Sequence, residues 1–358
     1  MIRSFAVLAI SAIVGSAGRA QSPSPNDLRN IQVLKGLSRD QVIYAMGFIS
    51  QSLGVTCDYC HVRVDRGLRA DLDDKKEKQT ARAMLSMTKA INDRDFGGRQ
   101  RITCATCHDG HTQPAASNPV VDLETLKTRL ALGRPGGSYP AAAALLAKYE
   151  RAIGGSSVLA GLKTRIDKYT VAEPGGTWTA ETFRQAPNKW AEATTRGQNT
   201  VTTWVFDGAG AKIVSPAGSR SVTGLDRDDM AFTADFWRDL KLSERYSSAE
   251  TIERARIDGG DMYVVRGHVK GSAIEEQLWL DAESGLLRRR MTYKPTALGS
   301  LADQTDFEDY RVVDGVKVPF LVKTATGAFA TIRTYTEIRF NARIDDTRFD
   351  AGGNPRGR

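Results

Sequence analysis

The pentapeptide Cys57-Asp58-Tyr59-Cys60-His61 is repeated in form as Cys104-Ala105-Thr106-Cys107-His108. Two cysteines three apart followed at once by histidine is the attachment signature of a c-type haem. On one helical turn, two thiols at this spacing reach the two vinyl groups of one porphyrin as thioethers, and the histidine sets an imidazole under the iron. The motifs use all 4 cysteines of the chain, so none is left for a disulfide. Paired Cys-x-x-Cys motifs also bind zinc, but the gap from Cys60 to Cys104 far exceeds the usual zinc-ribbon spacing of about 15–20 residues. Histidine is also scarce, 4 in 358 residues, yet one follows each pair directly. The expectation is two covalently attached c-type haems, held by Cys57, Cys60 and His61 and by Cys104, Cys107 and His108.

Residues 1–20 read as a signal peptide: Arg3 is the positive start, Phe5–Val14 the apolar run, and Gly18-Arg19-Ala20 the small-residue end. The run is too short to span a bilayer, which takes about 20 residues. The expected location is therefore periplasmic or otherwise exported, with membrane association through an uncleaved signal as the alternative. Export fits haem attachment. The formal charge of +8 is no argument for nucleic acid, and none is expected as a partner.

Each motif needs a sixth iron ligand. Ser38 and Gln41 form a capping-box pattern; Val42, Ile43, Met46, Ile49 and Leu53 follow at helical spacing, and Gly54 ends the helix. Met46 is a core residue on that stripe in the plainest reading. The turn at Gly54, however, folds it back over the first haem, and a thioether is a good ligand for low-spin iron. No histidine precedes His61, so a local bis-His site is excluded. Asp71–Asn92 repeats the arrangement, with Ala81, Met84, Leu85, Thr88 and Ile91 as the apolar stripe. Met84 and Met87 can both face the second haem, and periodicity does not choose between them. His111 is a rival ligand, more simply a solvent-facing loop residue, and His268 reads as a strand residue of another domain.

Met46 before Gly-Val-Thr-Cys-Asp-Tyr-Cys-His61, then Thr80-Ala-Arg-Ala-Met-Leu-Ser-Met-Thr-Lys-Ala-Ile-Asn92, then Ile-Thr-Cys-Ala-Thr-Cys-His108, resembles the cytochrome c subunit of bacterial photosynthetic reaction centres. The resemblance spans roughly residues 30–115. It implies a helix with the axial Met, a turn and a helix with the haem motif in each unit, and it makes Met46 and Met84 the axial ligands. That subunit carries four haems and a lipid-bearing cysteine, whereas this chain has two motifs and lacks that cysteine. Electron transfer carries over; docking to a photosynthetic reaction centre does not.

Residues 114–140 shift to Ala, Pro, Gly and Asn, with a helical patch at Leu123–Leu132. The expected organisation is a dihaem domain over 21–120, a linker over 121–140 and a second domain over 141–350. That domain opens with a helix through Ala141–Ile153 and another turn at Ser157–Leu162. Alternating segments follow at Ile166–Ala172, Thr177–Gln185, Lys189–Thr195, Thr200–Phe206, Met262–Val269, Ile274–Leu280, Leu286–Thr292, Gln304–Val312, Lys317–Thr324 and Phe329–Phe340, interrupted by a helix near Asp228–Leu240. About ten strands in order predict a curved antiparallel β half-barrel (α+β) behind a mostly α cytochrome domain. Trp178, Trp190, Trp204 and Trp279 fall on these strands, as core filling rather than as a binding site.

Tyr149–Gly155, Phe206-Asp-Gly208, Leu280–Leu286 and Tyr310–Pro319 resemble the curved-sheet carriers that sort outer-membrane lipoproteins. In that family the half-barrel covers a hydrophobic cavity for acyl chains, which implies a lipid-like or quinone-like ligand here. No acid, base or nucleophile converges in this half; its carboxylates read as spread over turns and exposed strand faces. The leading expectation is an electron carrier serving an unidentified redox partner protein. A peroxidase-like haem enzyme with one open iron, and a lipophilic-ligand carrier with a redox-sensing haem module, are the alternatives.

Overall fold

The computed structural model describes residues 28–64, 67–114, 139–197, 199–327 and 329–350. The signal segment 1–20, the helical patch Leu123–Leu132 and most of the 121–140 linker lie outside the described residues. The N-terminal part is helical. Helix α1, Arg39–Leu53, is capped by Ser38, whose hydroxyl accepts from the Gln41 amide at 3.3 Å, while the Ser38 amide donates to Gln41 Oε1 at 2.9 Å. Gly54 closes α1 in the left-handed conformation, φ 64°. The first motif forms a 3-10 turn over Cys57–Tyr59, and a short ribbon pairs β1, Val62–Val64, with β2, Gly67–Arg69. Helix α2 runs Lys76–Phe96, later at both ends than the Asp71–Asn92 expected, and α3, Cys104–His108, is the second motif itself.

Helices α4, Ala142–Ala152, and α5, Gly155–Ala160, open the C-terminal half. A single 13-stranded antiparallel sheet follows. It consists of β3 Thr164–Glu173, β4 Gly176–Gln185, β5 Lys189–Arg196, β6 Asn199–Phe206, β7 Ala211–Ser215, β8 Gly218–Val222, β9 Tyr246–Ile257, β10 Gly260–Val269, β11 Glu275–Asp281, β12 Leu287–Thr296, β13 Gly299–Val313, β14 Val316–Thr326 and β15 Phe329–Phe340. Helices α6, Gly224–Ala234, and α7, Leu242–Arg245, lie between β8 and β9. The spatial order runs β8 to β3, then β15 down to β9. It is two meanders joined by the pairing of β3 with β15, open at the β8 and β9 edges.

Ten strands fall where alternation places them. Strands β7 and β8 are only five residues each, and β9 is an edge strand whose one buried residue is Tyr246, so the apolar alternation that marks the others is weak there. The expected helix near Asp228–Leu240 lies earlier, over Gly224–Ala234, and turns continue the chain to Leu240.

The main core lies between α4 with α5 and the β10–β15 part of the sheet, and includes Leu146, Tyr149, Val265, Leu278, Leu280 and Val318. Trp190 is buried with Phe206, Val222 and Met230 in a second cluster, so it does fill core. The N-terminal half rests on the sheet through α1. A Cβ at Gly299 would come within 2.6 Å of Phe48, and one at Gly47 meets Leu301 at 3.4 Å. The Gln51 amide donates to the Ala302 carbonyl at 2.6 Å and accepts from the Ala302 amide at 3.0 Å. β14 pairs with β13 only from Asp303 onward, so Gln51 completes the backbone bonding one residue beyond.

Candidate functional site

Met46, Cys57, Cys60 and His61 line one mostly apolar cavity of about 620 Å³. That lies within the roughly 300–1,000 Å³ of typical ligand and cofactor sites. Its walls come from the segment before α1, from α1, from the first motif and from α2, which contributes Lys78, Ala81, Arg82 and Leu85. Met46 also packs against the small Leu34–Val42–Ala45 cluster, so the core reading of that residue and its cavity-facing position hold together.

The residues present fit a haem. His61 Nδ1 is buried without a hydrogen-bond partner, and burial, with Lys78, Arg82 and Lys75 adding to it, pushes the imidazole below its ordinary value. The neutral ring is the form that ligates metal. Burial pushes the Cys60 thiol up.

The residues that brace this cavity are not marked by any sequence pattern. Lys78, 8% exposed, donates to the Ala70 carbonyl at 2.9 Å and the Leu72 carbonyl at 2.7 Å, and pairs with Asp73 at 2.8 Å. Arg82 pairs with the same Asp73 carboxylate at 2.9 Å and donates to the Asn30 carbonyl at 3.2 Å. Hydrogen bonds from Arg82, Lys78 and Asn30 hold the Asp73 carboxyl well below the usual carboxylate range. A lysine in a charged run reads as solvated face; here the loop carbonyls after β2 turn Lys78 inward.

The second motif is organised differently. The His108 ring meets the His111 carbonyl through Nδ1 at 2.9 Å. If Nδ1 carries the proton and donates it, Nε2 is left free, the arrangement that orients a metal-ligating histidine. His111 thus takes part through its backbone, and its side chain is exposed. Asn92, 7% exposed, donates to the Ile102 carbonyl at 2.7 Å and accepts from the Arg101 and Ile102 amides at 2.9 and 3.0 Å, fixing the entry to α3. Burial pushes the Cys104 thiol up, while Cys107 is exposed. Met84 and Met87 are 39% and 45% exposed, so exposure does not separate them. α2 therefore turns Lys78, Ala81, Arg82 and Leu85 to the first cavity and carries the two methionines elsewhere on its surface.

Residues 8–127 match the family described as photosynthetic reaction centre cytochrome C subunit. Cytochrome c-554 of Chloroflexus aurantiacus is 32% identical over 100 residues, which cover 26% of this chain and 23% of that protein. The chain thus spans about a quarter of that relative's length. The N-terminal part is cytochrome c-like. For the C-terminal part, a DUF1329 family protein from Desulfovibrio piger superposes with a TM-score of 0.44 at 13% identity, covering 57% of this chain and 95% of that one. A LolA superfamily protein from Nitrosomonas europaea gives 0.42 at 14% identity, covering 59% and 98%. Scores this low carry no argument.

The C-terminal half corrects the expectation that its carboxylates lie on turns and exposed faces. Glu276 is fully buried on β11, on the same face as Leu278 and Leu280. Its carboxylate accepts from Arg245 Nε and Nη2 at 2.9 and 3.1 Å and from the Tyr246 hydroxyl at 2.7 Å. Asp167, 3% exposed, accepts from Arg165 at 2.7 Å and from Thr182 at 3.1 Å. For Glu276 the alternation with Leu278 and Leu280 is the available signal, but a lone acid in a strand reads as solvent-facing. His268 lies exposed on β10, a strand residue as expected.

Proposed function

We propose that this chain is an exported dihaem c-type cytochrome that transfers single electrons, with a C-terminal sheet that binds a partner or a lipophilic molecule. The observation that carries the reading is the cavity that gathers Met46, Cys57, Cys60 and His61. Cytochrome-like similarity over residues 8–127 supports it. Each haem, when bound, supplies a one-electron iron couple whose potential follows its axial ligands and surroundings.

In this reading Cys57 and Cys60 would hold the first haem as thioethers, and His61 and Met46 would ligate its iron. Cys104, Cys107 and His108 hold the second, with Met84 as distal ligand on the family resemblance and Met87 as its competitor. The brace of Lys78, Arg82 and Asp73 keeps the wall of the first cavity in place. The proposed boundaries are a signal over 1–20, the dihaem domain over 21–120, a linker over 121–140 and the sheet domain over 141–350. The periplasm or another exported location follows from the signal, and a redox protein is the partner at the haems.

A haem assay per polypeptide, with optical spectra of the oxidised and reduced protein, tests this. Two haems are expected, with a weak long-wavelength Met–iron band that diminishes in Met46→Ala and again in Met84→Ala. Loss in Met87→Ala instead would reassign the second ligand. Fewer than two haems, or a high-spin iron that binds carbon monoxide, would replace the simple carrier with an open-site haem enzyme.

A further inference from the structure

The concave side of the sheet is not a plain apolar trough. A cavity of about 320 Å³ lies between the sheet and the α6 segment, and another of about 460 Å³ adjoins it. Asp167, Arg184, Asp229, Thr233, Arg333 and Tyr335 line both, so they mark the junction. The larger set of walls carries seven basic side chains against four carboxylates.

The carboxylates are already engaged. Asp167 is paired with Arg165 at 2.7 Å, Asp239 with Arg290, and Asp229 and Asp303 with Lys294. Among the described residues neither Arg184 nor Arg333 has a carboxylate within ion-pair distance. Arg184 Nη1 is spent on the Thr233 carbonyl at 2.6 Å, and Arg333 Nε is buried with no acceptor. Arg290, 1% exposed, is paired with Asp239 through Nη1 and with Glu276 at 3.8 Å through Nε, which leaves Nη2 without an acceptor. Buried guanidinium N–H groups lacking acceptors are costly, and a bound anion would supply them bidentately. Three arginines converge on one phenol: burial and then Asp167 push the Tyr335 hydroxyl up, while Arg333, Arg165 and Arg184 pull it back. Phe232, Phe236 and Phe307 give the cavity an apolar flank beside this basic end.

We propose that the concave side of the sheet binds an anionic amphiphile, its carboxylate or phosphate head between Arg184 and Arg333 and its apolar part along Phe232, Phe236 and Phe307. This deepens the reading of the sheet as the ligand-binding half and rests on it; the haem assignment does not enter.

The test is calorimetric titration of the full-length holoprotein with laurate, dodecyl phosphate, dodecanol and inorganic phosphate. Both anionic amphiphiles are expected to bind at least about tenfold more tightly than dodecanol or inorganic phosphate. Arg333→Gln should weaken them by at least about tenfold and leave dodecanol unchanged, and Arg333→Lys should recover part of the loss. Arg184→Gln provides an independent second site, and the Soret band and far-UV circular dichroism report whether each variant is folded. Equal binding of dodecanol and laurate, insensitive to both variants, would overturn the anionic head while keeping the sheet as a carrier. Inorganic phosphate binding as well as dodecyl phosphate would overturn the amphiphile. Binding of none of the four would overturn the ligand-binding reading of the sheet itself, with the haem spectrum still intact.

Discussion

At the residue scale, Glu276 is a fully buried charge held by arginines on several elements. Burial works to raise its carboxyl, but Arg290 and Arg245, with the Arg245 hydrogen bonds, outweigh it and hold the group down to about 2. An unfolded glutamate titrates near 4.5. The folded value is the lower one, so this stabilisation is complete above about 4.5 and drains away as the pH falls toward 2. Glu276→Gln should remove that acid-sensitive component and, by leaving buried arginines unpaired, cost about 3–5 kcal/mol at neutral pH. Denaturant titrations followed by far-UV circular dichroism at pH 7 and pH 3 check both parts; a neutral-pH loss under about 1 kcal/mol would refute the account. Sequence reasoning missed this residue because its partners are remote, Arg245 lying 31 positions away, and Asp239, which pairs Arg290, lying 51 from it. By contrast, the Ser38 cap and the Cys-x-x-Cys-His motifs carry their chemistry within a few residues and could be read directly.

Among the elements, α1 ties the most parts together. One of its faces carries Met46 into the cavity, another sets Gly47 and Phe48 on β13, and its end meets the turn after α3. There Gly54 has two constraints: its φ of 64° is left-handed, and a Cβ would fall on the Gly110 carbonyl oxygen. The Gly110 amide donates to the Ser52 carbonyl at 2.9 Å, which fixes that approach. Gly54→Ala should therefore cost at least about 1 kcal/mol from the backbone alone, more with the overlap. Chemical denaturation followed at the Soret band measures it, and an unchanged midpoint would mean the two turns separate freely. The stop at Gly54 was legible, because helix termination is local. That it is also a contact between the two haem-motif segments was not, since nothing near Gly54 specifies Gly110. The α6 segment shows a related blindness. Asp229 and Asp239 pair with Lys294 and Arg290 of β12, and Asp235 with Arg245 of α7, partners that nothing near them in the sequence specifies.

On the scale of the whole molecule, the sheet's order depends on β3 pairing with β15, Tyr169 opposite Tyr335. Strand alternation predicted the hairpins but not this closure between the two ends of the domain, which no turn residue encodes. The N-terminal half is joined to that sheet through α1, with the Phe48 ring over Gly299 and Gln51 bonded to Ala302. Because α1 also lines the first cavity, loss of the sheet should release the wall that holds Met46. The Soret spectrum and the sheet's circular dichroism are then expected to change in one coincident transition. Phe48, 4% exposed, is the anchor of that coupling, and Phe48→Ala should cost about 3–5 kcal/mol and split the two signals. Gln51→Ala removes the backbone bridge without opening a large cavity and should separate them less. If the wild-type signals already part, with the haem band changing while the sheet stays folded, α1 leans on the sheet without depending on it, and the two halves behave as independent bodies.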